Sequence, residues 1–367
     1  MEINEKISDT AYKVLAKNTF LIGLGAFGSK AISFIMLPFF TRALSRSEYG
    51  QISIFITTIS LLIPLVTMDI VEAVFRFTIA EESVKRKQEV LTSSLLLVMG
   101  GTLIFIIFKP GFIHLEIFSR FFWFFIVTFV LSSVFSILKT FVRAEKRIIL
   151  YASSDIVYTT LFASLGIILV FILKKGIYGY FITMIGAAFI ANIYLFYAGQ
   201  LYRKMSFRYI SISQLINMLK YSLPIVPTAM SWWVINVSDR YLLTFFLGYS
   251  STGLYAVSCK FMAILNVLKG IFMQAWQISA IEEYNKKAKG EFYSRIFLAL
   301  YTLMMLAVFL FAIFLKQIVH IMTSPEFFQA WEYVPILLLG AVFSAFSSFF
   351  GVGYIASKKT GGAFRTS

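Results

Sequence analysis

Long apolar stretches alternate with short polar connections along almost the whole chain. Each stretch has about 20 residues, the length that an α-helix needs to cross roughly 30 Å of hydrocarbon. Ten stretches have this character, at residues 18–40, 50–75, 90–108, 121–142, 150–173, 178–198, 221–247, 252–279, 294–315 and 333–355. The pattern predicts an all-α integral membrane protein with about ten transmembrane helices, which we number as spans one to ten.

The composition agrees with lipid as the main solvent of this chain. Hydrophobic residues make up 59% of the 367 residues and charged residues 14%, whereas a soluble domain has about 45–50% and about 25%. The longest polar connection covers only residues 200–220, which leaves no room for a soluble catalytic domain. The first apolar stretch is too long for the core of a signal peptide, so we expect it to remain as span one.

Lysine and arginine are unevenly distributed among the connections. If the N-terminus lies in the cytoplasm, the inner connections hold 21 of the 33 basic residues and the outer connections hold 7. Cytoplasmic loops carry such an excess, so the bias predicts a multi-pass membrane protein with a cytoplasmic N-terminus. The same rule explains the net charge of +15 without a nucleic-acid partner.

The sequence has few of the groups that enzymes and cofactor sites use. One cysteine, Cys259, and two dispersed histidines argue against a disulfide and a metal cluster. The segment Gly23–Gly28 fits the dinucleotide pattern GxGxxG, but that motif requires a preceding strand and here interrupts span one. Close helix packing explains these glycines better. We therefore expect no enzymatic activity and no cofactor.

The second half of the chain resembles the first at an offset of 203 residues. Lys17 precedes span one and Lys220 precedes span seven, while LSRSEYG at 44–50 corresponds to LGYSSTG at 247–253. KPGFIH at 109–114 and KQIVH at 316–320 occupy equivalent outer connections. An even number of spans per unit keeps both copies in the same orientation, which is the parallel type of repeat.

This repeat predicts two lobes of unequal size. The N-terminal lobe, residues 1–198, has six spans, and residues 199–220 form a cytoplasmic linker. The C-terminal lobe, residues 221–367, has four spans, because counterparts of spans five and six would fall beyond about residue 353. A naturally short protein and an early end of the reading frame both fit this pattern.

Basic residues inside spans are the candidates for binding, because a charge at the membrane centre costs about 2.5–3.5 kcal/mol. Lys30 lies on a small, polar face of span one and either lines a cavity or pairs with a carboxylate. Arg240 shares a face of span seven with Trp233 and Asn236. A guanidinium binds phosphate or carboxylate bidentately, and a ring beside it suits a sugar. A salt bridge is the alternative for Arg240.

Spans four, five and eight contain further charged residues. Lys269 and Gln277 lie on one stripe of span eight and Lys260 lies opposite, so we expect Lys269 to face the cavity. Lys139 lies near an inner end, where its side chain is expected to extend to the interface. Asp155, near the start of span five, is interpreted as a charge that complements the helix dipole.

Acidic residues cluster at the inner end of span two. Asp69, Glu72 and Arg76 share a helical face, and the spacing of Glu72 and Arg76 suits an intrahelical pair. The cluster is a candidate gate or ion-coupling site, and a solvated helix end is the alternative.

Three segments carry a resemblance to a known family. They are LPFFTRALSRSEYGQISIF after span one, DIVEAVFRF at the end of span two, and SDRYLLTFFLGYSSTGLYAVSCKF from Ser238 to Phe261. With the order of the spans, they resemble the Wzx (RfbX)-type polysaccharide and O-antigen flippases. These belong to the multidrug/oligosaccharidyl-lipid/polysaccharide (MOP) exporter superfamily, together with the multidrug and toxin (MATE) exporters and the lipid II flippases.

The resemblance implies a MATE-like bundle of two lobes, usually with twelve or more spans. It implies that the protein moves an undecaprenyl-diphosphate-linked oligosaccharide, such as an O-antigen or capsule unit, across the bacterial cytoplasmic membrane by alternating access. Lys30, Arg240 and Lys269 would then contact the diphosphate or acidic sugars, with Trp233 and other polar residues beside them. Membrane lipids, a polysaccharide polymerase and a chain-length regulator would be its further partners.

Other functions fit the sequence less well. A drug or cation exporter should have acids and aromatic residues in its cavity, whereas the charges inside the spans here are mainly basic. A membrane glycosyltransferase or polymerase would need a large polar loop for its catalytic groups. A structural scaffold would not explain cations inside the membrane.

Overall fold

The computed structural model describes residues 23, 27–107, 116–283 and 289–356, and within these ranges the chain forms helices joined by short turns. The α-helices are α1 (27–35), α2 (Leu37–Ala43), α3 (Arg46–Val66), α4 (Ile70–Ile79), α5 (Val84–Ile107), α6 (Glu116–Ala144), α7 (Ile148–Gly166), α8 (Gly176–Ala198), α9 (Ile212–Ser222), α10 (Val226–Val237), α11 (Asp239–Glu283), α12 (Lys289–Ile313), α13 (Leu315–Met322) and α14 (Val334–Ala356). A π-helical turn, Ile167–Ile172, extends α7. The 3-10 turns are Leu201–Arg203, Phe207–Tyr209, Leu223–Ile225 and Pro325–Glu332.

Among the described residues, eight helical segments are long and apolar enough to cross a membrane. They are Arg46–Val66, Val84–Ile107, Phe118–Ala144, Ile148–Ile172, Gly176–Ala198, Asp239–Met273, Gly290–Ile313 and Val334–Gly353. Of the other two predicted spans, span one lies partly outside the described residues, which include its α1 and α2, and span seven is divided into short helices. The prediction of an all-α membrane protein with about ten transmembrane helices is confirmed.

Prolines explain the division of span seven. Pro224 lies in the 3-10 turn and Pro227 at the start of α10, and a proline nitrogen has no hydrogen to donate to the helix. Helix α10 ends at Val237, and α11 begins two residues later. Inside α11, Gly248 adopts φ 77° and ψ 175°, a conformation that glycine alone tolerates without strain. The chain therefore turns at Gly248 and resumes as a long helix.

The turn at Gly248 has a counterpart 203 residues earlier. Ser45 caps α3, because its Oγ accepts a hydrogen bond from the Glu48 backbone while Glu48 accepts one from the Ser45 backbone. Such a capping box fixes the first turn of a helix. Two residues, Leu44 and Ser45, separate α2 from α3, whereas Gly248 alone interrupts α11. The repeat stays a prediction, and its segment at residues 109–114 lies outside the described residues.

The chain divides into two compact units, Met1–Thr252 and Gly253–Ser367. Phenylalanines form much of the first core, where the Phe55 and Phe181 rings stack with centroids 4.2 Å apart. In the second unit the Trp276 and Phe349 rings stack 4.3 Å apart. Packing groups α10 with the first unit, whereas the repeat assigns it to the second half. The predicted lobe boundaries rest on the repeat and stay a prediction.

Residues 199–220, predicted as a linker, are packed within the first unit. Two 3-10 turns lead into α9, and Leu201 and Met218 are completely buried. The Ser211 backbone nitrogen donates a hydrogen bond of 3.1 Å to Ser93 Oγ of α5. Helix α9 therefore presents one apolar face to α4 and α5 and leaves its other face exposed.

Candidate functional site

The aromatic half of the predicted site in span seven packs on α3. Trp233 donates its indole hydrogen to the Thr57 carbonyl at 3.0 Å and to Ser60 Oγ at 3.1 Å. The Tyr241 ring lies 5.6 Å from the Trp233 ring, and its hydroxyl is hydrogen-bonded to Thr58 Oγ1. Serine and threonine side chains serve this role inside membranes because water is not available there as a partner. These contacts place Trp233 beside a polar strip of α3.

Arg240 reaches the same strip. One guanidinium nitrogen, Nη1, donates to Thr57 Oγ1 at 3.2 Å. Its Nε is buried and has no hydrogen-bond partner among the described residues. The buried phenol of Tyr49 lies close enough to interact electrostatically with the guanidinium. Because a buried unsatisfied donor of a charged group is costly, this atom is suited to an incoming acceptor.

The structure does not bring Asn236 into this cluster. Its side chain is exposed, and Nδ2 donates to the Trp232 carbonyl one turn earlier at 2.7 Å. Lys30, on α1, is also exposed. No hydrogen bond or ion pair joins Lys30 to any residue that the structure describes, so the carboxylate bridge considered for it is not formed within that part of the chain.

The second unit contains the predicted residues of span eight. Lys269 is half-buried, and its Nζ donates to Ser344 Oγ of α14 at 3.0 Å. Gln277 lies two turns further along α11 and is exposed. Lys260 is exposed as well. The roles predicted for these residues stay predictions.

The acidic cluster lies at a helix break that the sequence did not predict. Pro64 weakens the end of α3, and Met68 and Asp69 both have positive φ, 51° and 50°. Non-glycine residues in this region each cost of order 1–3 kcal/mol, and such strain concentrates at functional positions. Glu72 and Arg76 are exposed on α4 and, within the described residues, form no ion pair with each other. The break also puts Asp69 on a different helical phase from Glu72.

An ion pair inside the first unit was missed. Lys139 Nζ of α6 contacts both oxygens of Asp155 of α7, at 2.5 and 2.6 Å. The interpretations of Lys139 as an interfacial side chain and of Asp155 as a dipole charge were therefore wrong. Both residues lie eight positions from Arg147, which is in the turn of the α6–α7 hairpin. Two antiparallel helices place residues at equal distances from their turn at the same height along the pair. The equal spacing of Lys139 and Asp155 from Arg147 was therefore the sequence signal for this ion pair.

The described residues contain no cluster of three or more metal-ligating side chains. In the first unit, the structure brings together one cation, Arg240, with aromatic and hydroxyl neighbours. Such a set can bind and orient an anion.

Comparison with known proteins adds a family and a fold. The family model described as "Polysaccharide biosynthesis protein" matches residues 15–277, which is most of the chain. No curated protein matches the sequence.

Solved structures of MOP superfamily transporters share the fold at low sequence identity. An inward-facing multidrug resistance MATE family transporter is 12% identical, with a TM-score of 0.70 over 93% of this chain and 82% of the other. A mutant of the Vibrio cholerae MATE transporter VcmN is 15% identical, with a TM-score of 0.60 over 97% and 86%. A Pyrococcus furiosus transporter is 13% identical, with a TM-score of 0.63 over 96% and 84%, and its description states that "reverse polarity of binding pocket suggests different function". The MATE-like fold predicted from the sequence is confirmed.

Proposed function

The chain belongs to the polysaccharide biosynthesis protein family, and from this premise we propose that it is a flippase for a lipid-linked oligosaccharide. The substrate would be an oligosaccharide on undecaprenyl diphosphate, such as an O-antigen or capsule unit. It would move from the inner to the outer leaflet of the cytoplasmic membrane. The family and the fold are those of transporters rather than enzymes, which agrees with the expectation that the protein is not an enzyme.

Arg240 is the observation that carries this proposal. A permanently charged guanidinium inside the membrane needs a compensating role, and no carboxylate pairs with it among the described residues. Its Nε lacks a partner and its Nη1 has only a neutral hydroxyl. A phosphate would satisfy these donors bidentately. Trp233 lies on the same strip of α3 and offers a ring to a sugar.

The physics of the substrate requires such a site. A diphosphate cannot cross hydrocarbon unaided, because burying a bare charge is prohibitive. Fixed cations can replace its water while the polyprenyl tail stays in lipid. We propose Lys30, Asn236, Lys269 and Gln277 as further residues that contact the substrate.

The break before α4 supports a second element of the proposal. Two adjacent residues with positive φ, Met68 and Asp69, store strain that a change of conformation could release. We therefore assign Asp69, Glu72 and Arg76 to an inner gate or ion-coupling site, on the cytoplasmic side that the distribution of basic residues predicts.

A MATE-type exporter of drugs or cations is the alternative, since MATE transporters share the fold. Its substrates would not gain from the uncompensated cation at Arg240. Contacts with a polysaccharide polymerase and a chain-length regulator are further proposals that follow from the flippase function.

Deletion of the gene in its host, with complementation, tests the proposed function. Loss of surface glycan with accumulation of undecaprenyl-linked units inside the cell is the expected result. Arg240→Ala should fail to restore surface glycan while remaining in the membrane, and Arg240→Lys should restore it partly. Arg208→Ala, at an exposed residue outside the spans, is the matched control and should restore it fully. Normal glycan in the deletion strain, with altered sensitivity to cationic drugs, would establish the exporter instead.

A further inference from the structure

Arg143, in the last turn of α6, has two aromatic rings within 6 Å of its guanidinium carbon. Its guanidinium carbon lies 4.8 Å from the ring centroid of Phe75 in α4 and 5.5 Å from that of Tyr151 in α7. Cations within about 6 Å of a ring face are attracted to it, and guanidinium groups stack there with their hydrogens directed outward. The rings therefore fix the position of Arg143 without using its hydrogen-bond donors.

Those donors are available. Arg143 is exposed, and its guanidinium makes no hydrogen bond or ion pair with any residue in the described parts of the chain. Its neighbours differ in this respect. Arg147 donates to the carbonyls of Ala198 and Gly199, at 2.8 and 2.6 Å. Lys204 pairs with Glu145 at 2.5 Å. These two cations stabilise the fold, whereas Arg143 is positioned but uncommitted.

The local charge around Arg143 favours an anion. Lys139 lies one turn earlier on α6, with its Nζ 4.6 Å from the centroid of the same Tyr151 ring. Asp155 neutralises Lys139, so the positive charge of Arg143 remains uncompensated by the described residues. A bound anion would compensate this charge and accept hydrogen bonds from the guanidinium, which has five donors in fixed geometry.

The site lies at the predicted cytoplasmic end of the first unit. Arg143 is next to the last residue of α6, just before the turn at residues 145–147. By the distribution of basic residues, this turn faces the cytoplasm. The headgroup of a lipid in the inner leaflet lies at this level. Under the proposed function, the substrate is loaded from that leaflet.

We propose that Arg143, clamped by Phe75 and Tyr151, is a loading site that binds the diphosphate of a polyprenyl-linked substrate before transport. This inference rests on the proposed function and adds a second anion site to the one at Arg240. A diphosphate has adjacent phosphate oxygens for the guanidinium fork, and its prenyl chain remains in the hydrocarbon beside the helices.

Binding measurements on the full chain in nanodiscs of zwitterionic lipid test the site. The probes are farnesyl diphosphate, inorganic pyrophosphate and farnesol. Loss of charge-assisted hydrogen bonds should weaken farnesyl diphosphate binding about tenfold or more in Arg143→Ala. Tyr151→Leu, which keeps the charge but removes one ring, should weaken it severalfold. Lys85→Ala, at an exposed cation without a ring clamp, is the matched control and should bind as the wild type does.

Three results would overturn the proposal. Arg143→Ala could bind farnesyl diphosphate as tightly as the wild type, or Lys85→Ala could lose as much affinity as Arg143→Ala. Equal affinity for pyrophosphate and farnesyl diphosphate, both dependent on Arg143, would assign the site to free diphosphate. Arg143→Lys keeps a positive charge but lacks the guanidinium fork, so we expect an intermediate affinity. That result would show that the loss of affinity in Arg143→Ala reflects the missing donors and not a folding defect. A deletion strain without accumulated lipid-linked units would overturn the proposed function separately, whatever the binding data show.

Discussion

Replacement of Lys139 by methionine is expected to destabilise the first unit strongly. The ammonium lies 2.5 and 2.6 Å from the two carboxylate oxygens of Asp155, and the side chains are only 19% and 25% accessible. Two unit charges about 4 Å apart attract by about 4 kcal/mol at an effective dielectric constant near 20. Desolvation costs several kcal/mol per ion, so the pair contributes little net stability. Removal of one partner leaves a buried charge uncompensated, which costs about 3–5 kcal/mol.

Thermal unfolding followed by tryptophan fluorescence in detergent measures this effect. For chains of 150–250 residues, 1 kcal/mol shifts Tm by about 2–4 °C, so Lys139→Met should lower the apparent Tm by roughly 5 °C or more. Asp155→Leu should have a similar effect. The double variant Lys139→Met/Asp155→Leu should return close to the wild-type Tm, because replacing a buried pair with apolar residues of similar volume is often neutral.

A surface pair provides the control. Glu291 and Arg295 contact at 2.5 Å but are 67% and 76% accessible, and exposed pairs contribute about 0–1 kcal/mol. Glu291→Gln should therefore leave the apparent Tm almost unchanged. A double variant as unstable as the single variants would show that side-chain shape, not charge, governs this position. Single variants with the wild-type Tm would show that water already solvates the pair.

Three further predictions concern the backbone and the second unit. Gly176→Ala introduces a Cβ 2.7 Å from a carboxylate oxygen at φ +55° and should lower the apparent Tm, whereas Gly100→Ala, with open space around it, should not. Met68→Val should lower the apparent Tm and Met68→Gly should not, because a β-branched residue is strained at φ 51°. In the complementation assay, Lys269→Ala should reduce surface glycan more than Lys260→Ala; the reverse order would show that the assumed orientation of span eight is wrong.

Hydropathy predicted the number of spans well because the surrounding lipid determines which residues a span can contain. A helix in lipid must satisfy its own backbone and present apolar side chains, so each span has a clear sequence pattern. Span seven was harder, since Pro224, Pro227 and Gly248 divide it into short helices that no single apolar window represents. A connection at residues 247–253 was predicted from the sequence, but the positive φ of Gly248 was not.

The face of span seven was predicted only in part. Trp233 and Arg240 both contact Thr57, as their predicted shared face suggested, although they lie on the two successive helices α10 and α11. Asn236 instead bonds within its own helix. The ion pair of Lys139 could not be predicted from periodicity, because it depends on which helix packs against α6. Periodicity describes one helix at a time, and pairing between helices has to come from the fold.

Reconstitution tests the flippase account most directly. The purified chain would be placed in liposomes that contain a polyprenyl diphosphate carrying a fluorescent oligosaccharide, and a membrane-impermeant quencher would be added outside. The account predicts that the protected fluorescence of the inner leaflet is lost with the wild-type chain and retained with Arg240→Ala. Fluorescence that stays protected with the wild-type chain, while cationic dyes are transported, would contradict it.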